Sequence, residues 1–163
     1  MKIQIIGYSG SGKSTLAKQL AQKLGGCPLY LDTLHFYGDW QERTAEEMTL
    51  LVRQFLAEHD IWVIDGNYTQ VAPERFKQAD LIVFLDRNRF ACFFSAFSRY
   101  LKHRRTVRES CGCPEKFDWE FILWLLYKGR GKDKKQALLN QAAGQKIILK
   151  NRRQIRRFVS QFQ

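Results

Sequence analysis

Nine consecutive residues near the start of the chain, Gly7-Tyr8-Ser9-Gly10-Ser11-Gly12-Lys13-Ser14-Thr15, combine glycines, hydroxyls and a lysine in the spacing G-x-x-x-x-G-K-S. Glycines let a chain wrap an anion, so that successive backbone N–H groups converge on phosphate oxygens. At this spacing a lysine reaches the β- and γ-phosphates of a nucleoside triphosphate, and the following hydroxyl is a ligand for Mg²⁺. The predicted chemistry is binding of Mg-ATP by Gly7, Ser9, Gly10, Ser11, Gly12, Lys13, Ser14 and Thr15, with Lys13 also catalytic. A flexible glycine loop is the bland alternative, and the flanking segments argue against it. Lys2-Ile3-Gln4-Ile5-Ile6 reads as a buried strand entering the loop, and Leu16, Leu20 and Leu24 with Ala17 and Ala21 form a helical stripe leaving it.

Carboxylates and arginines farther along supply the other parts of a phosphoryl-transfer site. Asp65 ends the apolar run Ile61-Trp62-Val63-Ile64, where an acid can hold the Mg²⁺ shell together with Ser14. On its own it would read as a turn former. Asp32 ends Leu29-Tyr30-Leu31, read as a second short strand, and open α/β sheets gather ligands at such ends. A carboxylate there could accept a hydroxyl proton or position an acceptor, against the alternative of an ordinary loop residue. Arg99, Arg104, Arg105 and Arg108 close a predicted helix and enter a loop holding Gly112 and Pro114. Arginines that close over a transferring phosphoryl group neutralise its charge, so Arg99, Arg104 and Arg108 are catalytic candidates on a lid over about residues 99–117. A solvated helix end is the competing reading.

The elements that must position these groups alternate. After the first helix, Gly25-Gly26 breaks the pattern. Thr44 to Glu47 is a capping box opening a helix on Met48, Leu51, Val52, Phe55 and Leu56. Asp80 to Asp86 and Lys146 to Leu149 read as further strands. Phe90, Phe93, Phe94, Phe97 and Leu101 mark a helix face, and Phe117 to Lys128 an apolar helix. Those aromatics, with Trp119, Phe121, Trp124 and Tyr127, read most simply as core, with a homodimer face as the alternative. Further helices are predicted near residues 133–143 and 152–162. Strands alternating with helices imply a parallel sheet covered on both faces.

A chain of 163 residues suits one domain, 1–163, with an acceptor segment at about 32–59. No apolar stretch reaches the roughly 18 residues that span a bilayer, and Met1-Lys2 leads straight into the first strand. The four cysteines form no disulfide framework, and Cys111-Gly112-Cys113 lacks zinc spacing, so a reduced, cytoplasmic protein is expected. Charge is lopsided: residues 1–86 carry a net −3 and residues 87–163 a net +14. That asymmetry implies a polyanionic ligand or partner, whether nucleotide, phosphorylated substrate or nucleic acid.

Taken in order, the phosphate loop, the Asp65-Gly66 pair and the arginine-rich segment after the fourth strand resemble the adenylate-kinase-like P-loop kinases. More narrowly, Leu31-Asp32-Thr33-Leu34-His35 with Trp40, Ile64-Asp65-Gly66-Asn67-Tyr68, and Cys113-Pro114-Glu115-Lys116-Phe117-Asp118 with Phe121 and Trp124 resemble a bacterial group called DNA topology modulation proteins. The resemblance implies a three-layer α/β/α fold with a five-stranded parallel sheet in the order 2-3-1-4-5. It also implies ATP as phosphate donor and Mg²⁺ as cofactor. Where adenylate kinases continue Asp-Gly with Phe-Pro-Arg, this chain has Asn67-Tyr68, which argues against AMP as acceptor. Asp32 with Leu34-His35 looks instead like shikimate and gluconate kinases. Asp32, His35, Gly66, Asn67 and Tyr68 are accordingly expected to bind a small hydroxylated or nucleotide acceptor. The competing reading is a nucleic-acid-associated ATP-binding protein, and a weaker one is a nucleotide switch without transfer.

Overall fold

Every residue from Ile3 to Gly7 is buried, because the strand that carries them lies in the middle of a sheet. The computed structural model describes residues 1–37, 41–103, 117–130, 139–140 and 143–162. Its strands are β1 (Lys2–Gly7), β2 (Cys27–Tyr30), β3 (Trp62–Asp65), β4 (Leu81–Leu85) and β5 (Gln145–Leu149). They form one five-stranded sheet in the order β2-β3-β1-β4-β5, parallel at every pairing. The helices are α1 (Lys13–Leu24), α2 (Leu31–His35), α3 (Ala45–Glu58), α4 (Glu74–Gln78), α5 (Arg89–His103), α6 (Trp119–Leu126) and α7 (Arg152–Val159), with a 3-10 turn at Lys128–Arg130.

Side chains alternate across the strands and build two cores. Ile3, Ile5, Val63, Val83 and Leu149 meet Leu16 and Leu20 of α1 and Phe158 of α7 on one face. Ile6, Trp62, Ile64, Ile82 and Phe84 meet Met48 and Val52 of α3 and Phe76 of α4 on the other. Burying a leucine such as Leu20 completely contributes about 1.5–3 kcal/mol, so the α1 stripe alone anchors the loop that precedes it. Thr44 and Glu47 form the expected capping box at the start of α3, with bonds of 3.2 and 2.9 Å.

Two expectations are corrected. The second strand ends at Tyr30, and Leu31 to His35 form a short helix, so Asp32 sits in the first turn of α2. Pairing already begins at Cys27, whose N–H bonds Ile61 O. The fully buried Leu31 then turns the chain inward, and the apolar run Leu29-Tyr30-Leu31 crosses that boundary without a change of composition. Pro28 is tolerated because β2 is an edge strand. The aromatic set is core only in part: Phe93 and Phe121 pack, partly buried, against Cys92, Ala96 and Leu125. Phe90, Phe94, Phe97, Leu101, Trp119, Trp124 and Tyr127 are exposed, Phe94 at 65 % and Trp119 at 71 %. The small residues Cys92 and Ala96 are what α5 buries, with Leu125 of α6, because the helix must approach the phosphate loop closely. The predicted helix near 133–143 falls largely outside the described residues.

Candidate active site

Gly7 to Ser14 leave β1 and enter α1 in a tight loop, with Ser11 N bonded to Tyr8 O at 3.1 Å and Leu16 N to Gly12 O at 3.0 Å. Gly10 has φ +72°, and a Cβ there would lie 2.4 Å from Cys92 O, so glycine lets α5 rest on the loop. The first turn of α1 contains no acidic residue, which leaves its positive end and N–H groups for an anion. Lys13 Nζ folds back over the loop to Tyr8 O at 3.1 Å. Ser11 Oγ is buried and has no hydrogen-bond partner among the described residues, a donor of the kind a phosphate oxygen accepts from.

The predicted metal pair is in contact. Strand register places Asp65 opposite Ile5, two residues before the loop. Ser14 Oγ donates to Asp65 Oδ2 at 2.7 Å, and Asp65 is buried. Both donors are hard oxygens of the sort Mg²⁺ takes, so the pair fits that ion. Asp65→Asn keeps the size and loses the charge, and the Mg²⁺ concentration for half-maximal activity is expected to rise about 10- to 100-fold. An unchanged Mg²⁺ dependence would leave Asp65 as a partner for Ser14 alone.

The acceptor candidates gather where β2 and β3 end. Tyr68 OH donates to Asp32 Oδ1 at 2.8 Å, which holds the exposed carboxylate in one orientation. The His35 ring lies 5.1 Å from the Tyr68 ring, with Nδ1 3.3 Å from Met48 Sδ and Nε2 3.5 Å from Glu42 Oε1. His35, Arg43, Met48, Tyr68 and Val71 line a cavity of about 260 Å³. Gly66 belongs to the frame: its φ is +148°, and a Cβ would lie 2.7 Å from Leu31 Cβ. Asn67 turns the other way. Its Oδ1 accepts from Gly7 N at 2.9 Å and its Nδ2 donates to Gly7 O at 2.8 Å, so the side chain clamps the first glycine of the phosphate loop. Arg99 lies half-buried on α5, and Arg104, Arg105 and Arg108 lie outside the described residues.

Three arginines that sequence reasoning passed over shape the site. Arg87 Nη1 donates to Ser11 O and to Ser95 Oγ, each at 3.3 Å. Burial holds its pKa below the usual value, and nearby Arg152 pushes the same way. Arg87, Ala91, Phe94, Ser95, Ser98 and Arg152 line a cavity of about 430 Å³ between α5 and α7. Arg130 bonds Arg87 O at 3.0 Å and stacks its guanidinium 4.1 Å above the Tyr8 ring. Arg75, completely buried, donates to Gln4 Oε1 and to carbonyls of Tyr68, Val71 and Ala72. In a half-chain with 19 basic residues, nothing in the spacing of Arg87 or Arg130 sets them apart. For Arg75 the available signal was a lone arginine among Val71, Ala72, Phe76 and Ala79.

A parallel 2-3-1-4-5 sheet with a phosphate loop after its central strand matches known enzymes over nearly their whole length. Shikimate kinase from Acinetobacter baumannii in complex with shikimate superposes with a TM-score of 0.61 at 16 % identity, over 98 % of this chain and 89 % of that one. This is the P-loop kinase fold. Deoxyadenosine kinase from M. mycoides with bound dATP matches at a TM-score of 0.57 and 15 % identity, over 99 % and 98 % of the two chains. An uncharacterised protein from Eubacterium ventriosum matches at 0.56 and 15 %, over 99 % and 95 %. No family model and no curated protein matches the chain by sequence. Among the described residues no helix is long and apolar enough to cross a membrane, and no cluster of three or more His, Cys, Asp or Glu side chains is placed to hold a metal.

Proposed function

We propose that the protein is an ATP-dependent phosphotransferase acting on a small hydroxylated acceptor. The observation that carries this reading is the 2.7 Å contact between Ser14 and Asp65, which joins the phosphate loop to the strand leading into Gly66, Asn67 and Tyr68. The loop amides and Lys13 hold the donor phosphates, and the cavity between α5 and α7 takes the rest of the nucleotide. Ser14 and Asp65 would hold Mg²⁺, which supplies charge neutralisation at the phosphates when bound. Asp32, oriented by Tyr68, accepts the proton of the acceptor hydroxyl as its oxygen attacks the γ-phosphorus. The bond to the bridging oxygen breaks, and ADP leaves. Arg99, Arg104 and Arg108 neutralise the transferring group. A 260 Å³ cavity lined by His35 and by Tyr68, the hydrogen-bond partner of Asp32, supports a compact acceptor, either a hydroxylated acid or a nucleoside.

The test is a melting-temperature panel of nucleosides, nucleotides and hydroxylated acids with Mg²⁺ and a non-hydrolysable ATP analogue. At a hundredfold excess over Kd each bound ligand adds about 2.7 kcal/mol, or several degrees. The true acceptor is expected to add its shift to that of the nucleotide, and then to yield ADP and phosphorylated product one for one. Nucleotide hydrolysis with no product from any member of the panel would overturn the transferase reading.

A further inference from the structure

Lys13, Arg87 and Arg130 gather on the first residues of the phosphate loop. Lys13 Nζ folds back to Tyr8 O, and Arg87 Nη1 bonds Ser11 O. Arg130 comes from a different part of the chain, the 3-10 turn that follows α6. Its Cζ lies 4.1 Å from the centroid of the Tyr8 ring. Its Nε donates to Leu125 O at 3.1 Å and its Nη1 to Arg87 O at 3.0 Å. Two carbonyls and an aromatic face thus hold a flat, permanently charged group in one orientation.

The other end of that fork is not used by the chain. Nη2 of Arg130 is buried and has no hydrogen-bond partner among the described residues. No carboxylate among them forms an ion pair with Arg130. A neutral donor would serve the two carbonyls equally well, so the charge answers to something else. A buried charged donor is costly until an acceptor meets it, and an anion meets it best. Ser11 Oγ, on the loop itself, is a second buried donor in the same condition.

Position identifies the anion. The amides of a phosphate loop cradle the α- and β-phosphates, and its lysine reaches the β- and γ-phosphates. Lys13 opens α1 yet reaches back to Tyr8 at the entry of the loop, so the far end of a triphosphate lies toward Tyr8. A diphosphate held by the same amides stops short of it. Resting on the reading of this loop as a nucleotide site, we propose that Arg130 binds the γ-phosphate through Nη2 and lets the site tell ATP from ADP. Tyr8 is its positioning residue, a ring on which the guanidinium lies. The role differs from that of Arg99, Arg104 and Arg108, because it concerns recognition of the bound donor rather than the transfer step. It also favours release of product: once the phosphoryl group has left, the diphosphate no longer engages Arg130.

The test is calorimetric titration of the full chain with Mg-ADP and with the Mg²⁺ complex of a non-hydrolysable ATP analogue. The parent is expected to bind the analogue more tightly than ADP. Arg130→Gln should lower affinity for the analogue about 10- to 100-fold and for ADP less than about threefold. A retained ADP affinity shows that loop and fold are intact, which the loss of a merely structural contact would not spare. Arg130→Lys keeps the charge without the planar fork and should fall between the two, and it carries the same comparison should Arg130→Gln melt early. Arg89→Gln removes an exposed charge from the start of α5 and should keep the parent's preference for the analogue. Equal losses for both nucleotides, an unchanged preference, or the same loss in Arg89→Gln would overturn the proposal and leave nucleotide binding by the loop standing. Failure of the parent to bind either nucleotide would overturn it together with the functional reading on which it rests.

Discussion

Replacing Lys13 with alanine is expected to lower the rate constant of phosphoryl transfer by about a hundredfold to a thousandfold, the scale seen when one donor to a developing charge is lost in a closed site. Lys13 opens α1, and its amine lies folded over the loop on Tyr8 O. A nucleotide phosphate entering the loop would offer that amine a charged acceptor in place of a neutral carbonyl, and charge-assisted bonds are roughly twice as strong. The ground-state part of the loss is smaller. One such bond contributes about 1.5–3 kcal/mol, so Mg-ATP affinity should fall by a factor of about 10 to 100. Calorimetry measures the affinity, and single-turnover transfer measures the rate. The two together separate binding from chemistry. Equal Mg-ATP affinity in the parent and the variant would mean that the loop does not hold the nucleotide through this residue.

The largest effect on stability is expected at Arg75. Its guanidinium is completely buried, and burial pushes its pKa down to about 10. At neutral pH it is still charged, so the cost of desolvation is carried in full. Because the folded pKa lies below the unfolded one, this cost is relieved only as pH rises past about 10 toward the ordinary arginine value. Hydrogen bonds offset it: Nε bonds Gln4 Oε1 at 3.1 Å, Nη2 bonds Tyr68 O at 2.6 Å, and Nη1 bonds the carbonyls of Val71 and Ala72. Ala72 holds a φ of +40°, an uncommon conformation for a residue with a side chain, and Arg75 is one of the groups that pin it. Arg75→Ala would leave these acceptors unpaired around a cavity and is expected to cost about 3–5 kcal/mol. For a chain of this size that is a fall of roughly 10 °C or more in melting temperature. Arg75→Lys keeps a charge but not the fork and should fall between the two. Urea unfolding monitored by circular dichroism reads both variants, and a midpoint within error of the parent for Arg75→Ala would overturn the structural role.

Local sequence carried the parts of this protein that depend on near neighbours. The phosphate loop is nine adjacent residues, and its glycines and following helix stripe can be read without knowing what lies across from them. The capping box at Thr44 and Glu47 spans one turn, and the sheet order followed from a resemblance carried by motifs in sequence. Asp65 was legible because a buried strand is apolar throughout and ends abruptly in a carboxylate. The boundary between β2 and α2 was not, because Leu29, Tyr30 and Leu31 suit either element and only the packing of Leu31 against the end of β3 decides where the chain turns.

What tertiary structure alone decided were contacts between residues far apart in the chain. Asn67 was expected at the acceptor, yet parallel pairing of β1 with β3 brings it to Gly7, sixty residues away, and its amide saturates that backbone. Arg87 meets Ser11 across 76 residues, and Arg75 meets Gln4 across 71. The aromatic stripe of α5 has the right periodicity for a core, but periodicity gives only that a helix has two faces. Which face turns inward was set by Gly10, whose missing side chain admits the backbone of Cys92 and draws the small residues against the loop. Arg130 is likewise one basic residue among many in sequence. It comes over Tyr8 only because Leu125 of α6 packs on Cys92 and Ala96 of α5, which brings the turn after α6 to the phosphate loop.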